Sequence, residues 1–157
     1  MTRELKLSHL GLESPTPYLV YDFWEQRLLA ASSGSLRLHF APSSVHLLAI
    51  HEPRGVPQVV GTDRHYTQGV VELAQVRWDA AQCTLSGIGL GAPGMRWTLA
   101  IYVPEGFTWD SHTSNSWRQS ARVSVLSYED TIIQVRLQFV ETDRVHWSLT
   151  FNPAGRC

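Results

Sequence analysis

Alternation of apolar and polar side chains is the strongest pattern along the chain. Apolar residues occupy every second position in 35–40 (SLRLHF), 95–103 (MRWTLAIYV), 132–140 (IIQVRLQFV) and 146–151 (HWSLTF). Successive side chains of a β-strand point to opposite faces of its sheet, so a strand with one buried face shows this period of two. The pattern predicts antiparallel strands with one face in a core and the other in water.

Turn-forming residues separate these segments at short intervals. Proline and glycine cluster in 52–57 (EPRGVP) and 87–94 (GIGLGAPG), and the second cluster is expected to be a hairpin loop. The best helical stretch, 21–31, begins with aromatic and β-branched residues, so we interpret it as two strands bent at Glu25. Many short strands between turns predict an all-β fold, an antiparallel β-sandwich, as a single domain over residues 1–157.

Composition and charge narrow the function classes. The chain has 157 residues, of which 43% are hydrophobic and 17% charged, enough for one buried core. Its 13 basic and 14 acidic residues give a formal net charge of -1, which does not attract phosphates. No apolar stretch approaches the roughly 20 residues of a membrane-spanning helix, and the first residues lack the pattern of a signal peptide. We expect no nucleic-acid partner, no membrane partner and a cytoplasmic location.

Cysteine and histidine spacings do not match a metal site. Cys83 and Cys157 form no metal-ligand spacing, and we expect a buried thiol and a free terminal thiol in a reducing compartment. The seven histidines share neither i, i+2 nor i, i+4 spacing, and His46 and His51 are expected on opposite faces of one strand. Neither a phosphate-binding glycine motif nor a nucleophile elbow occurs in the required context. The sequence predicts no metal, no cofactor and no catalytic residue.

The stretch 59–73 (VVGTDRHYTQGVVEL) carries candidate binding chemistry between two glycines. Side chains such as those of Asp63, His65 and Gln68 hydrogen-bond sugar hydroxyls. The alternative interpretation is structural, because the glycines permit unusual backbone angles and threonine and aspartate side chains cap turns. On the sequence alone, both interpretations stay open.

Tryptophan is abundant, with six residues in the chain, and sugar rings stack their C–H faces on aromatic side chains. Trp109 and Trp117 lie in or beside the patternless segment 110–120 (DSHTSNSWRQS), which we expect to be a mobile loop. With His112 they are predicted carbohydrate-binding candidates. An equal alternative is that these aromatic residues cover a domain interface.

A carboxylate pair, Asp22 and Glu25, flanks two aromatic residues. Three positions apart on an extended strand they point to opposite faces, so they could not act together on one bond. We expect one of them to accept a hydrogen bond from the backbone or from an arginine.

Several segments, in order, resemble a known domain: YLVYDFWEQRLL, HLLAI, GVPQVVGTDRHYTQGVVELAQVRWD, TLSG and LAIYVPEGF. The order and spacing, over residues 5–107, are similar to the C-terminal all-β domain that follows the catalytic (β/α)8 barrel in bacterial α-galactosidase-like, melibiase-type glycoside hydrolases. That barrel takes about 250 residues and holds the catalytic carboxylates, so no catalytic residue carries over to this chain. The resemblance implies an accessory domain that packs against a barrel.

Two functions from different classes follow. The first is a non-catalytic accessory β-sandwich domain, structural with weak carbohydrate contact, whose partners are a catalytic barrel domain, a galactose-containing carbohydrate or a second copy of itself. The apolar segment 5–12 (LKLSHLGL) favours it, because such a segment suits an interdomain surface. The alternative is an autonomous carbohydrate-binding module that uses the loop tryptophans. An enzyme would require a close pair of acid and base side chains in a pocket.

Overall fold

The structure is a computed structural model, and its described residues are 1–12, 17–29, 34–64, 67, 69–110, 117–118 and 120–154. The contacts within the chain form two compact units, residues 1–54 and 55–157, and each is described by itself. Every strand pairing is antiparallel, so the predicted all-β, antiparallel fold is confirmed. The single domain over 1–157 stays a prediction. No helix in the described ranges has the length and apolar character needed to cross a membrane.

The first unit has five strands in its described part: β1 (Thr2–Lys6), β2 (Leu19–Asp22), β3 (Arg27–Leu29), β4 (Ser35–His39) and β5 (Leu48–His51). β1 pairs with β4, and β2 lies between β3 and β5 in a three-stranded sheet. One turn of 3-10 helix, Leu7–Leu10, follows β1. The predicted bend at Glu25 is confirmed, since β2 and β3 are joined by the turn 23–26.

The core of the first unit explains its sequence pattern. Leu36 and Leu38 of β4 are buried and Arg37 between them is exposed, as the alternation predicts. Leu7 is fully buried in the same core, although Leu10 is 51% exposed. Most of the apolar character of the N-terminal segment is therefore used inside its own unit, and the segment no longer argues for an interdomain surface.

The second unit has nine strands in its described part: β6 (Gln58–Thr62), β7 (Leu73–Asp79), β8 (Thr84–Leu90), β9 (Arg96–Tyr102), β10 (Phe107–Trp109), β11 (Trp117–Arg118), β12 (Ala121–Glu129), β13 (Ile132–Phe139) and β14 (Arg144–Pro153). They form a four-stranded sheet in the order β10, β14, β8, β7 and a five-stranded sheet in the order β11, β12, β13, β9, β6. Side chains of both sheets share one core, so this unit is a β-sandwich.

The alternating segments supply most of that core. The buried members from the predicted strands are Trp97, Leu99, Ile101, Ile133, Val135, Leu137, Phe139, Trp147, Leu149 and Phe151. Each lies at a position that the period of two assigns to the inner face. The pattern therefore identified the inner face of all three strands correctly, but the prediction that the other face lies in water was wrong for β9, where Thr98 and Ala100 are also buried.

The glycines of 87–94 have a different role from the one predicted. Gly87 and Gly89 lie inside β8 rather than in a hairpin loop, and β8 and β9 belong to different sheets. A Cβ at Gly87 would lie 2.8 Å from Cζ2 of Trp147, and one at Gly89 would overlap Cδ1 of Leu137. Glycine is required because side chains of the core lie directly on the backbone of β8.

Cys83 also differs from the expectation. It lies in the turn between β7 and β8, is 7% exposed, and is disulfide-bonded rather than a free thiol. The other cysteine of the sequence, Cys157, lies outside the described residues.

Replacing Gly89 by alanine tests the close packing on β8. We expect Gly89→Ala to lower the free energy of unfolding by about 1–3 kcal/mol, because the added methyl group overfills the core. Gly34→Ala is the control, since no atom lies within 4 Å of a Cβ at that position. Urea unfolding followed by circular dichroism measures both variants. Equal midpoints for the two variants would contradict this account of β8.

Candidate functional site

The loop between β6 and β7 is fastened by a buried carboxylate. Glu72 is 6% exposed, and its Oε1 accepts hydrogen bonds from Oγ1 of Thr62 at 2.5 Å and from the backbone N–H of Gly69 at 2.9 Å. The backbone carbonyl of Glu72 accepts a hydrogen bond from the N–H of Leu90 at 2.8 Å. Glu72 therefore ties both ends of the loop to each other and to the end of β8.

The surroundings of Glu72 set its charge. Burial raises the pKa of the Glu72 carboxyl, but hydrogen bonds from the hydroxyls of Thr62 and Thr67 and from backbone N–H groups lower it by more. The net effect is a pKa below its ordinary value of 4.5. Glu72 is therefore ionised at neutral pH and stabilises the loop as an anion.

The other described residues of the loop show how it turns. The backbone N–H of Asp63 bonds the carbonyl of Thr98 at 2.9 Å, and that of Arg64 bonds Oγ1 of Thr62 at 3.3 Å. Gly69 has a φ of 92°, which a residue with a side chain rarely adopts. These are the contacts of a built turn, while the side chain of Asp63 is exposed. His65 and Gln68 lie outside the described residues, so their proposed sugar contacts stay predictions.

The predicted tryptophan group is described only in part. Trp109 lies in β10 opposite Phe151 of β14, is half-buried, and packs against the core of the sandwich. Trp117 lies in the short strand β11, where only its backbone pairing with Arg122 is described. His112 lies outside the described residues, as does most of 110–120, so the expected mobile loop stays a prediction.

Asp63 and Trp109 lie on different sheets of the second unit. Asp63 follows β6, an edge of the five-stranded sheet, and its backbone N–H bonds the carbonyl of Thr98 in β9. Trp109 lies in β10, an edge of the four-stranded sheet. A shared sugar site for the two residues stays a prediction.

A close acid and base pair lies in the first unit. Oδ2 of Asp22, at the end of β2, is 2.5 Å from Nδ1 of His46, and Nε2 of His46 is 3.0 Å from the carbonyl of His39. The side chain of Asp22 is fully buried and that of His46 is 17% exposed. His46 precedes β5 rather than lying on one strand with His51, so that expectation was wrong.

Both ring nitrogens of His46 face acceptors, so the ring makes both hydrogen bonds only as a doubly protonated imidazolium. The pKa of His46 is raised from its ordinary 6.5, first by the backbone carbonyl of His39 and then by the Asp22 carboxylate. The imidazolium joins three segments: the end of β2, the end of β4 and the chain that enters β5.

The same aspartate organises the turn between β2 and β3. Oδ1 of Asp22 accepts the backbone N–H of Trp24 at 2.9 Å and that of Glu25 at 3.3 Å. The expectation that one carboxylate of this pair accepts a backbone hydrogen bond is confirmed. Glu25 instead forms a long ion pair with Arg27, in which Oε2 and Nε are 3.8 Å apart.

Sequence reasoning did not anticipate three of these residues. The sequence suggests His46 only as a metal ligand, and it contains no local pattern that indicates the roles of Glu72 and Trp24. A signal for the turn was present in Asp22 itself, because aspartate side chains commonly accept backbone N–H groups two residues further along, as in an Asx turn. Among the described residues, no group of three or more His, Cys, Asp or Glu side chains is arranged to hold a metal ion.

The Asp22 and His46 pair predicts that the stability of the first unit depends on pH. Because the pKa of His46 is raised on folding, its contribution to stability is complete below pH 6.5 and is lost as the pH rises through the folded-state pKa. We expect hydrogen exchange of the β2 amides, corrected for intrinsic rates, to show falling protection above neutral pH. His46→Gln should remove that fall, whereas the exposed control His9→Gln should keep it. The same fall in the His46→Gln protein would assign it to another group.

The ionised Glu72 predicts that the stability of the second unit depends on pH in the opposite direction, with a loss in acid. Its lowered pKa means that its contribution is complete above pH 4.5 and is lost as the pH falls through the folded-state pKa. We expect Glu72→Gln to cost about 1–3 kcal/mol at neutral pH and to weaken the loss of stability in acid. Urea unfolding over an acid series measures it, with the exposed Glu105→Gln as control. An unchanged neutral-pH stability of Glu72→Gln would contradict the role of the carboxylate.

Comparison with known proteins leaves the geometry as the main guide to function. No protein-family model, no curated protein and no solved structure matches this chain. The likeness to the α-galactosidase-like C-terminal domain therefore stays an expectation from the sequence segments quoted above.

Proposed function

We propose that this chain is a non-catalytic accessory β-domain that acts by packing against a partner domain and by weak contact with carbohydrate. The observation that supports it is the use of the Asp22 and His46 pair. This is the pair of described side chains that most resembles an acid and base couple, and its hydrogen-bonding atoms are engaged within the fold. The Asp22 and His46 side chains thus stabilise the fold.

The geometry of His46 is unsuited to general-base catalysis. A general base needs a free lone pair within hydrogen-bond reach of the proton that it removes. Nδ1 of His46 bonds Asp22 and Nε2 bonds the carbonyl of His39, so neither nitrogen offers a lone pair. Asp22 is fully buried and cannot reach a substrate.

Glu72 is equally committed to the fold. It is buried, and Oε1 accepts hydrogen bonds from a side chain and a backbone group of its own loop. A carboxylate that acts as a nucleophile or acid on a glycosidic bond must face the sugar, with a second carboxylate across the bond. Glu72 faces inward instead, which supports a structural role.

The partner in this proposal is a catalytic domain of the barrel type that the resemblance implies, with a galactose-containing carbohydrate as a secondary ligand. Interfaces between domains of one protein commonly bury 600–1,500 Å² and are more polar than permanent ones. Two exposed valines directly before Glu72, Val70 at 84% and Val71 at 66%, are apolar groups that such a contact would cover.

Activity and binding measurements on the purified chain test the proposal. We expect no hydrolysis of p-nitrophenyl α-galactoside, and only weak shifts in an amide NMR titration with galactose, melibiose or raffinose. Hydrolysis that is lost in Asp22→Asn or Glu72→Gln would overturn the non-catalytic assignment. Tight, saturable binding with shifts clustered at Trp109 and Trp117 would replace the accessory role with an autonomous carbohydrate-binding module.

A further inference from the structure

We infer that the outer face of the four-stranded sheet binds a polysaccharide segment built from uronic acid sugars, which carry carboxylate groups. This inference rests on the proposed non-catalytic role and gives its carbohydrate contact a location and a charge. It places that contact on the strands β7, β8 and β14 rather than at the loop tryptophans that the sequence suggested.

The alternation of β14 defines this outer face. Val145, Trp147 and Leu149 are buried in the core of the sandwich, so the residues between them point away from it. The strand register then identifies the outward residues of the neighbouring strands. We call five of these residues the polar patch: Arg77 of β7, Ser86 of β8, and Arg144, His146 and Ser148 of β14.

The polar patch is open to solvent. Ser86 is half-buried and its other four members are exposed. Arg77, Ser86 and Ser148 form one cross-strand row. Neighbouring strands are about 4.8 Å apart and alternate residues of a strand about 7 Å apart, so Arg77 lies about 10 Å from Ser148 and Arg144 about 14 Å from it. The patch is therefore a floor of hydroxyl groups with a guanidinium group at each end.

The charge of the patch is positive although the net charge of the chain is -1. Neither Arg77 nor Arg144 forms an ion pair within the described residues. β8 and β14 contain no acidic residue, and Asp79 and Asp143 lie at the margins of the patch. Oδ1 of Asp79 accepts two backbone N–H groups of the turn that follows it. The patch is thus complementary to an anion, and a guanidinium group binds both oxygens of a carboxylate at once.

Hydroxyl groups on the same face favour a carbohydrate as the carrier of that carboxylate. Ser86 and Ser148 lie at the centre of the patch, and in the next row Oγ1 of Thr84 is 3.1 Å from Oγ1 of Thr150. A hydroxyl group both donates and accepts hydrogen bonds, which suits the hydroxyls of a sugar ring. An acidic sugar chain would use the hydroxyls and the guanidinium groups together.

The side chains of this face are less suited to a protein or a nucleic acid. A protein interface has apolar or aromatic anchors at its centre, but the apolar outward residue Ile88 of β8 is only 8% exposed. Single-stranded nucleic acids stack their bases on aromatic side chains. The outward positions of β8 and β14 carry no Trp, Tyr or Phe. Polar contacts without an aromatic platform also agree with the weak binding in the proposed function.

An NMR titration of the full chain with trigalacturonate, the carboxylated counterpart of galactotriose, tests the inference. We expect saturable shifts of the Ser86 and Ser148 amides with trigalacturonate and much smaller shifts with galactotriose. Binding should weaken when the ionic strength is raised to about 1 M, because the Debye length then falls to about 3 Å and exposed charges are screened.

Charge variants of exposed residues locate the binding. Arg77→Gln and Arg144→Gln should each weaken trigalacturonate binding by about two- to fivefold, as expected for one exposed charge pair. Ser148→Glu should abolish the shifts, because it places a carboxylate at the centre of the patch. Arg96→Gln is the matched control, since this exposed arginine lies on β9 of the other sheet. Circular dichroism checks that each variant is folded.

The possible results separate this inference from the proposed function. Absence of shifts on β8 and β14 with trigalacturonate would overturn the inference, as would equal binding of galactotriose or an equal loss in Arg96→Gln and Arg77→Gln. Tighter binding of polyglutamate or of a single-stranded oligonucleotide at the same amides would also overturn it, because it would assign the face to another class of partner. Hydrolysis of either trisaccharide would overturn the non-catalytic role and leave the patch standing. Saturable shifts with trigalacturonate without hydrolysis would support both.

Discussion

The cost of burying a carboxylate shapes both units of this protein. An ionised carboxylate without partners is strongly unfavourable away from water. Both oxygens of Asp22 are hydrogen-bonded, Oδ1 to two backbone N–H groups and Oδ2 to an imidazolium. Glu72 is bonded through Oε1 alone, to a hydroxyl and a backbone N–H, and its buried Oε2 has no hydrogen-bond partner among the described residues. Each carboxylate lies where a strand meets a turn, so satisfying it also determines the path of the chain. The turn after β2 and the loop before β7 are in this way held by their own carboxylates.

The sequence predicted the strands well because a period of two reports burial, and burial is decided locally by the facing of each side chain. The burial of β13 and β14 follows that pattern directly, whereas β9 is buried on both faces, at Thr98 and Ala100 as well as at its inner positions. The hydrogen bond between Asp22 and His46 joins residues 24 positions apart, and no local pattern contains it. The role of the β8 glycines was predicted wrongly for a related reason. Their neighbours in space, Leu137 and Trp147, lie about 50 or more positions further along the sequence.

The candidate site was harder to predict than the fold. Of the six residues proposed from the sequence, Asp63 and Trp109 have described side chains, and they lie on different sheets of the sandwich unit. Aromatic and polar residues occur in buried cores, at interfaces and at sugar sites alike, so residue type does not separate these uses. Exposure separates them, and exposure depends on contacts between residues distant in the sequence, such as the pairing of Trp109 with Phe151 of β14.

The glycines of β8 also bear on how the sandwich moves. Trp147 of the neighbouring strand lies close to the backbone at Gly87, and Leu137 of the facing sheet lies close to it at Gly89. Local opening starts where packing is loose, and close contact at the middle of a sheet suppresses it. The centre of the four-stranded sheet should therefore be the last part of that sheet to open. Local unfolding of the sheet should begin at its two edge strands, β7 and β10.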